Sequence, residues 1–130
     1  MAESNEDLVR RGYAAFSSGD MGTLSELFSP DIVQHVDGNH LLSGDYKGRD
    51  TVFAFFGKLM ELSGGTLSVD LDSVRAEGDN KVVAHHTGTA ERNGKSLAVG
   101  QTLVFTIVDG VAVDVDQTSD DPAAEDAFWV

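Results

Sequence analysis

The sequence predicts an α+β domain, with helices in the first half and an antiparallel sheet of consecutive hairpins in the second. Three observations predict it. Up to about Leu62 the apolar residues recur at helical spacing. From about Thr66 onward they alternate with polar residues, the period of a strand. Turn signals, EGDN, RNGK and VDG, divide that second half into four runs. Helices followed by a series of strands are the pattern of helices packed on one face of a sheet. At 130 residues the chain holds one domain with a single core.

Residues 4–18 read as the first helix. Ser4 with Asp7 three residues later is a weak capping box, and Val9, Tyr13 and Phe16 share a face. SSGD stops it, and Asp20 caps a short second helix with Leu24, Leu27 and Phe28 on its apolar side. Pro30 is expected to end that helix, with DIVQHV following as a strand. DGNHLLSGDYKG reads as a long loop. Asp50 then opens a third helix to about Leu62, whose Val52, Phe55, Phe56, Leu59 and Leu62 form a wide stripe. Strands are expected at about 66–76, 81–91, 96–108 and 111–119. The last residues, 120–130, form a tail whose Phe128 and Trp129 need something to dock on.

Register singles out three polar side chains. A two-residue turn at Asn93-Gly94 sets Arg92 against Lys95, Ala90 against Leu97, Gly88 against Val99 and His86 against Gln101. At VDG a three-residue loop with Gly110 in a bulge keeps apolar faces matched. It sets Phe105 against Val113, Leu103 against Val115 and Gln101 against Gln117. The inner face of the last strand then reads Val111, Val113, Val115, Gln117, Ser119. His86, Gln101 and Gln117 thus form a polar row across an apolar face. Burying one such group without a partner costs a few kcal/mol. The row is satisfied by itself, by water or by a ligand, and the sequence leaves a core network and a binding site both open. In the second reading His86 is the titrating group, and Gln101 and Gln117 donate to an oxygen that gains charge.

Composition excludes several functions. Nine basic residues face 22 acidic ones, a net charge of −13 that repels nucleic-acid backbones and anionic membranes. No apolar run approaches the ~20 residues that span a bilayer. The polar, acidic start MAESNEDLVRR is not a secretory signal, and cysteine is absent, so a cytoplasmic protein is expected. His85 and His86 are neighbours on a strand and point to opposite faces, so they do not chelate one ion, and no metal-ligand spacing occurs. Neither a Walker nor a dinucleotide pattern is present.

NEDLVRRGYAAFSSGDMGTLSELFSPDIVQHV, GDYKGRDTVFAFFGKL and ERNGKSL…VFTIVDG…DD.AA.DAFW resemble SnoaL-like polyketide cyclases of the nuclear-transport-factor-2-like superfamily, which includes the ketosteroid isomerases. The resemblance covers nearly the whole chain. It implies a cone: a curved sheet wrapped around an apolar pocket that the helices close. It further implies a small hydrophobic ligand, no cofactor, and a homodimer through the outer sheet face. Tyr13, Phe16, Phe53, Phe56, Leu59, Leu103 and Val115 become pocket wall, and His35 and Asp37 fall near the pocket mouth. The family's acids are not reproduced. Val36 stands at the isomerases' base position, Leu103 at their oxyanion-holding acid, and Gln117 at one acid of the epoxide hydrolases. The resemblance therefore leaves three readings: cofactor-free enolisation of a carbonyl compound by other residues, ligand binding without catalysis, and an engineered variant of such a scaffold.

Overall fold

The computed structural model describes residues 3–130. Helix α1 spans Asn5–Ser18, and the Ser4 hydroxyl accepts from the Asp7 backbone N–H at 3.1 Å, as the capping pattern requires. Asp20 caps α2, Met21–Leu27, accepting from the Thr23 N–H and hydroxyl. The role expected of Pro30 is corrected. Helix α2 ends at Leu27, and strand β1, Phe28–Val36, runs through Pro30. Pairing of β1 with β6 shifts register between Phe28 and Val33, so the missing N–H of Pro30 falls where the ladder is already interrupted. The expected long loop is also corrected, because Gly44–Lys47 forms β2, antiparallel to β1. Helix α3, Arg49–Leu62, has Gly48 rather than Asp50 at its cap; Asp50 sits in the first turn, where its charge favours the helix dipole.

Strands β3 (Ser68–Glu77), β4 (Lys81–Arg92), β5 (Lys95–Val108) and β6 (Val111–Ser119) complete one sheet of order β2-β1-β6-β5-β4-β3. The β1–β6 pair is parallel, so the sheet is mixed rather than wholly antiparallel. Local hairpin signals could not reveal this pair, whose partners are separated by most of the chain.

The β4–β5 register is the expected one, with Arg92 opposite Lys95 and His86 opposite Gln101. The β5–β6 register is not. Asp109 and Gly110 both have positive φ, 52° and 79°, and form a two-residue turn that pairs Val108 with Val111. The bulge lies one step further on: Ile107 faces Ala112, Thr106 faces Asp114, and Val113 is the extra residue. Gln117 therefore faces Leu103, and Gln101 faces Ser119. The bulge also switches faces, so Ala112 is buried where Val111 and Val113 were expected.

Register shifts in the β1–β6, β3–β4 and β5–β6 pairs each bend the sheet. Its concave face holds helices α1–α3 and two clusters of buried apolar residues. The tail is a helix, α4 (Pro122–Phe128), capped by Asp121 with Pro122 in its first turn. Phe128 and Trp129, each 3% exposed, pack on Val36, Leu42, Phe55, Leu97 and Val99, so the tail docks on its own domain.

Candidate functional site

A cavity of about 120 Å³ lies between the concave face and the helices. Val69 of β3 and Gln34 of β1 both line it, although three strands separate β3 from β1 in the sheet. In a flat sheet they would lie roughly 19 Å apart at about 4.8 Å per strand, so the sheet curls around the cavity. The wall is mostly apolar, and among the described residues its titrating groups are Glu125, His86, His40 and Tyr13. A second hollow shares Phe16, Phe56, Leu67 and Val69 with the first, and carries half-exposed Met21 and Met60.

The polar part of the wall is one connected network. Gln101 is its hub. Its Oε1 accepts from His86 Nε2 at 2.7 Å and from Gln117 Nε2 at 3.0 Å, and its Nε2 donates to Glu125 Oε1 at 2.7 Å. Gln34 Nε2 donates to Gln117 Oε1 at 2.9 Å. Because Gln101 offers His86 an acceptor, His86 carries its proton on Nε2. Its bare Nδ1 then accepts from the Tyr13 hydroxyl at 2.7 Å. Gln117 reaches Gln101 diagonally, since the strand opposite Gln101 presents Ser119. The row expected from sequence is thus assembled although one of its two registers differs.

Burial sets the protonation states. It pushes His86 below the ordinary histidine range, with Gln101 opposing, so the imidazole is neutral. It raises the Tyr13 hydroxyl far above its usual range, with Asp72 adding to the effect. It also raises Glu125, against Ser119, His40 and Gln101, with Asp37 reinforcing the rise. Both nitrogens of His86 are occupied inside the protein, so it addresses the cavity through Tyr13.

Phe16, Phe56, Leu59, Leu103 and Val115 line the cavity. Phe53 does not: it lines the second hollow. His35 and Asp37 are corrected. From Ile32 onward the buried side chains of β1 are Ile32, Gln34 and Val36, so alternation turns His35 to the outer face. There it bridges Asp45 at 2.7 Å and Asp114 at 2.9 Å, which raise its pKa in that order. Asp37 accepts from the Ser119 backbone N–H at 3.0 Å and does not line the cavity. His85, outward as expected, bridges Asp120 and Asp72. Among the described residues no group of three acidic or histidine side chains is placed to hold a metal ion.

Two polar wall residues, Gln34 and Glu125, escaped the sequence reading. Gln34 had a signal, since it alternates with Ile32 and Val36. Glu125 had one too: Asp121-Pro122 is a helix start, and residues 125, 128 and 129 then share a face. His40, which the sequence places in the long loop as a candidate lid residue, lines the cavity.

Comparison with known proteins agrees with this architecture. The SnoaL-like domain family matches residues 9–115. An uncharacterized protein of Mycobacterium tuberculosis, Rv0034, is 36% identical over 98% of this chain and 97% of its own. The solved structure of Bal32a, from a soil-derived mobile gene cassette, is 44% identical with a TM-score of 0.93, covering 95% of each chain. At 19% identity, a structure from Jannaschia sp. CCS1 that carries a SnoaL-like polyketide-cyclase name shares the fold with a TM-score of 0.78, covering 100% of this chain and 98% of that one. By sequence and by fold, the chain belongs to the SnoaL-like domain family.

Proposed function

We propose that the cavity binds one small, mostly apolar molecule bearing an oxygen, and that its polar wall moves a proton on that molecule without a cofactor. One observation carries the reading: a connected set of donors, acceptors and titrating groups forms part of an otherwise apolar enclosure. A cavity whose only task is to be filled has no use for that arrangement. Gln101 and Gln117 each commit one amide hydrogen to the network and retain a second N–H for a ligand oxygen. Tyr13, whose hydroxyl hydrogen goes to His86, offers its oxygen as an acceptor.

Size narrows the ligand. An apolar cavity of roughly 150 Å³ accepts benzene, so about 120 Å³ suits a single ring rather than a fused polyketide. The second hollow, beyond Phe16 and Phe56, is the way in. A thermal-shift screen of wild type and His86→Leu against single-ring ketones, epoxides and hydrocarbons tests this. A ligand at ~100 times its dissociation constant adds ~2.7 kcal/mol, about 10 °C for a domain of this size. Ketones are expected to stabilise wild type more than the variant. Equal shifts for ketones and hydrocarbons in both proteins would remove the polar wall from the account. One observation favours binding without catalysis: His86, Gln101, Gln117 and Glu125 each already have a hydrogen-bond partner within the protein. Absence of proton exchange on a bound ketone would select that reading.

A further inference from the structure

Resting on this reading of the cavity, we infer that Glu125 is the base that takes and returns the substrate's proton, and that the substrate is a single-ring ketone with a C–H next to its carbonyl. Among the described residues Glu125 is the only carboxylate lining the cavity, and it is 5% exposed. It lies on the same face of α4 as Phe128 and Trp129, a position that leucine would fill without any desolvation cost. Its carboxylate is aimed by Gln101 Nε2 at 2.7 Å.

The element that carries it is tied down on several sides. Asp121 caps α4, the Leu41 N–H donates to the Trp129 carbonyl at 3.1 Å, and the Asn39 N–H donates to Asp126 at 2.8 Å. From the β4–β5 hairpin, Lys95 reaches the Ala127 carbonyl at 3.0 Å and Arg92 reaches Val130 at 2.8 Å. A carboxylate held this firmly beside an apolar cavity is preorganised for proton transfer. His86 is not the competitor that sequence makes it, because both its nitrogens are spent on Tyr13 and Gln101.

The step balances without an oxidant or reductant. A Glu125 oxygen takes the proton, the C–H electron pair becomes the C=C bond, and the carbonyl π pair moves to oxygen. The amide N–H groups of Gln117 and Gln34 not used within the network hold the enolate oxygen. The protonated Glu125 then returns the proton to the same carbon or to a conjugated one. The groups facing Glu125 are Gln101, Ser119, His40 and Asp37; burial, reinforced by Asp37, outweighs the other three in raising its proton affinity.

The test uses cyclohexanone as the probe. Thermal shift reads its binding, proton NMR in D2O reads exchange of its α-hydrogens, and carbon NMR of glutamate-labelled protein reads the Glu125 titration. Wild type is expected to bind and to exchange above buffer. Glu125→Gln keeps the thermal shift and loses exchange by about 10²–10⁴-fold. The Glu125 signal, assigned by its loss in that variant, titrates above the ordinary glutamate value of about 4.3. Wild-type exchange in Glu125→Gln, or titration at the ordinary value, overturns the assignment while the cavity reading stands; binding with no wild-type exchange overturns the assignment and leaves the cavity a binding site without catalysis. No thermal shift in wild type overturns the cavity reading and this assignment with it.

Discussion

Replacing Gln101 by leucine removes the hub of the cavity wall while keeping a side chain of similar size. Three groups then lose a partner: the Nε2 hydrogens of His86 and Gln117, and Glu125 Oε1. Each buried group left unmatched costs about 1–3 kcal/mol. Leucine returns about 1–2 kcal/mol through its apolar surface, and water in the cavity repairs part of the rest. The net loss is expected at about 2–4 kcal/mol. Unfolding 130 residues carries an entropy near 0.27 kcal/mol/K, so the melting temperature should fall by roughly 7–15 °C. Circular dichroism against temperature measures it. A variant as stable as wild type, or more so, would show that the wall is not held together through Gln101.

Other consequences lie further from the cavity. Trp129→Ala, at a site 3% exposed, should cost about 3–5 kcal/mol in chemical denaturation and release α4; a loss under about 1 kcal/mol would contradict its place in the core. A Cβ on Gly100 would collide with Asp120 Oδ2 and His85 Nε2, whose hydrogen bond crosses over β5. Gly100→Ala should therefore lower the melting temperature by several degrees, whereas Gly88→Ala, with open space at its Cβ, should leave it unchanged or raise it. Asp120 and Asp72 raise the folded pKa of His85. Their contribution is therefore full below about pH 6.5, where unfolded histidine is charged too, and is lost as pH rises through the higher folded value. The melting-temperature gap between wild type and His85→Asn should shrink from pH 6 to pH 9; a widening gap would refute the pairing.

What the chain reveals by itself follows from the range of each interaction. The Asn93-Gly94 turn is local chemistry, and it correctly placed His86 against Gln101. At VDG the same chemistry operated, but the bulge lay inside the strand at Val113, where no glycine marks it. Gln117 joined the network nonetheless, because an amide side chain reaches a diagonal neighbour. The parallel β1–β6 pair is long-range and leaves no short motif. Without it the direction of His35 and Asp37 could not be settled. Glu125 is legible only through the Asp121-Pro122 helix start, because a seven-residue helix after the last strand is too short to show periodicity by itself.

An NMR titration of labelled protein with cyclohexanone tests the central claim most directly, that the polar wall of the cavity is a ligand site. The account predicts saturable shifts at Tyr13, His86, Gln101, Gln117 and Glu125, with the outer-face pairs at His35 and His85 unmoved. Shifts that never saturate, or that fall on the outer face of the sheet, would contradict it.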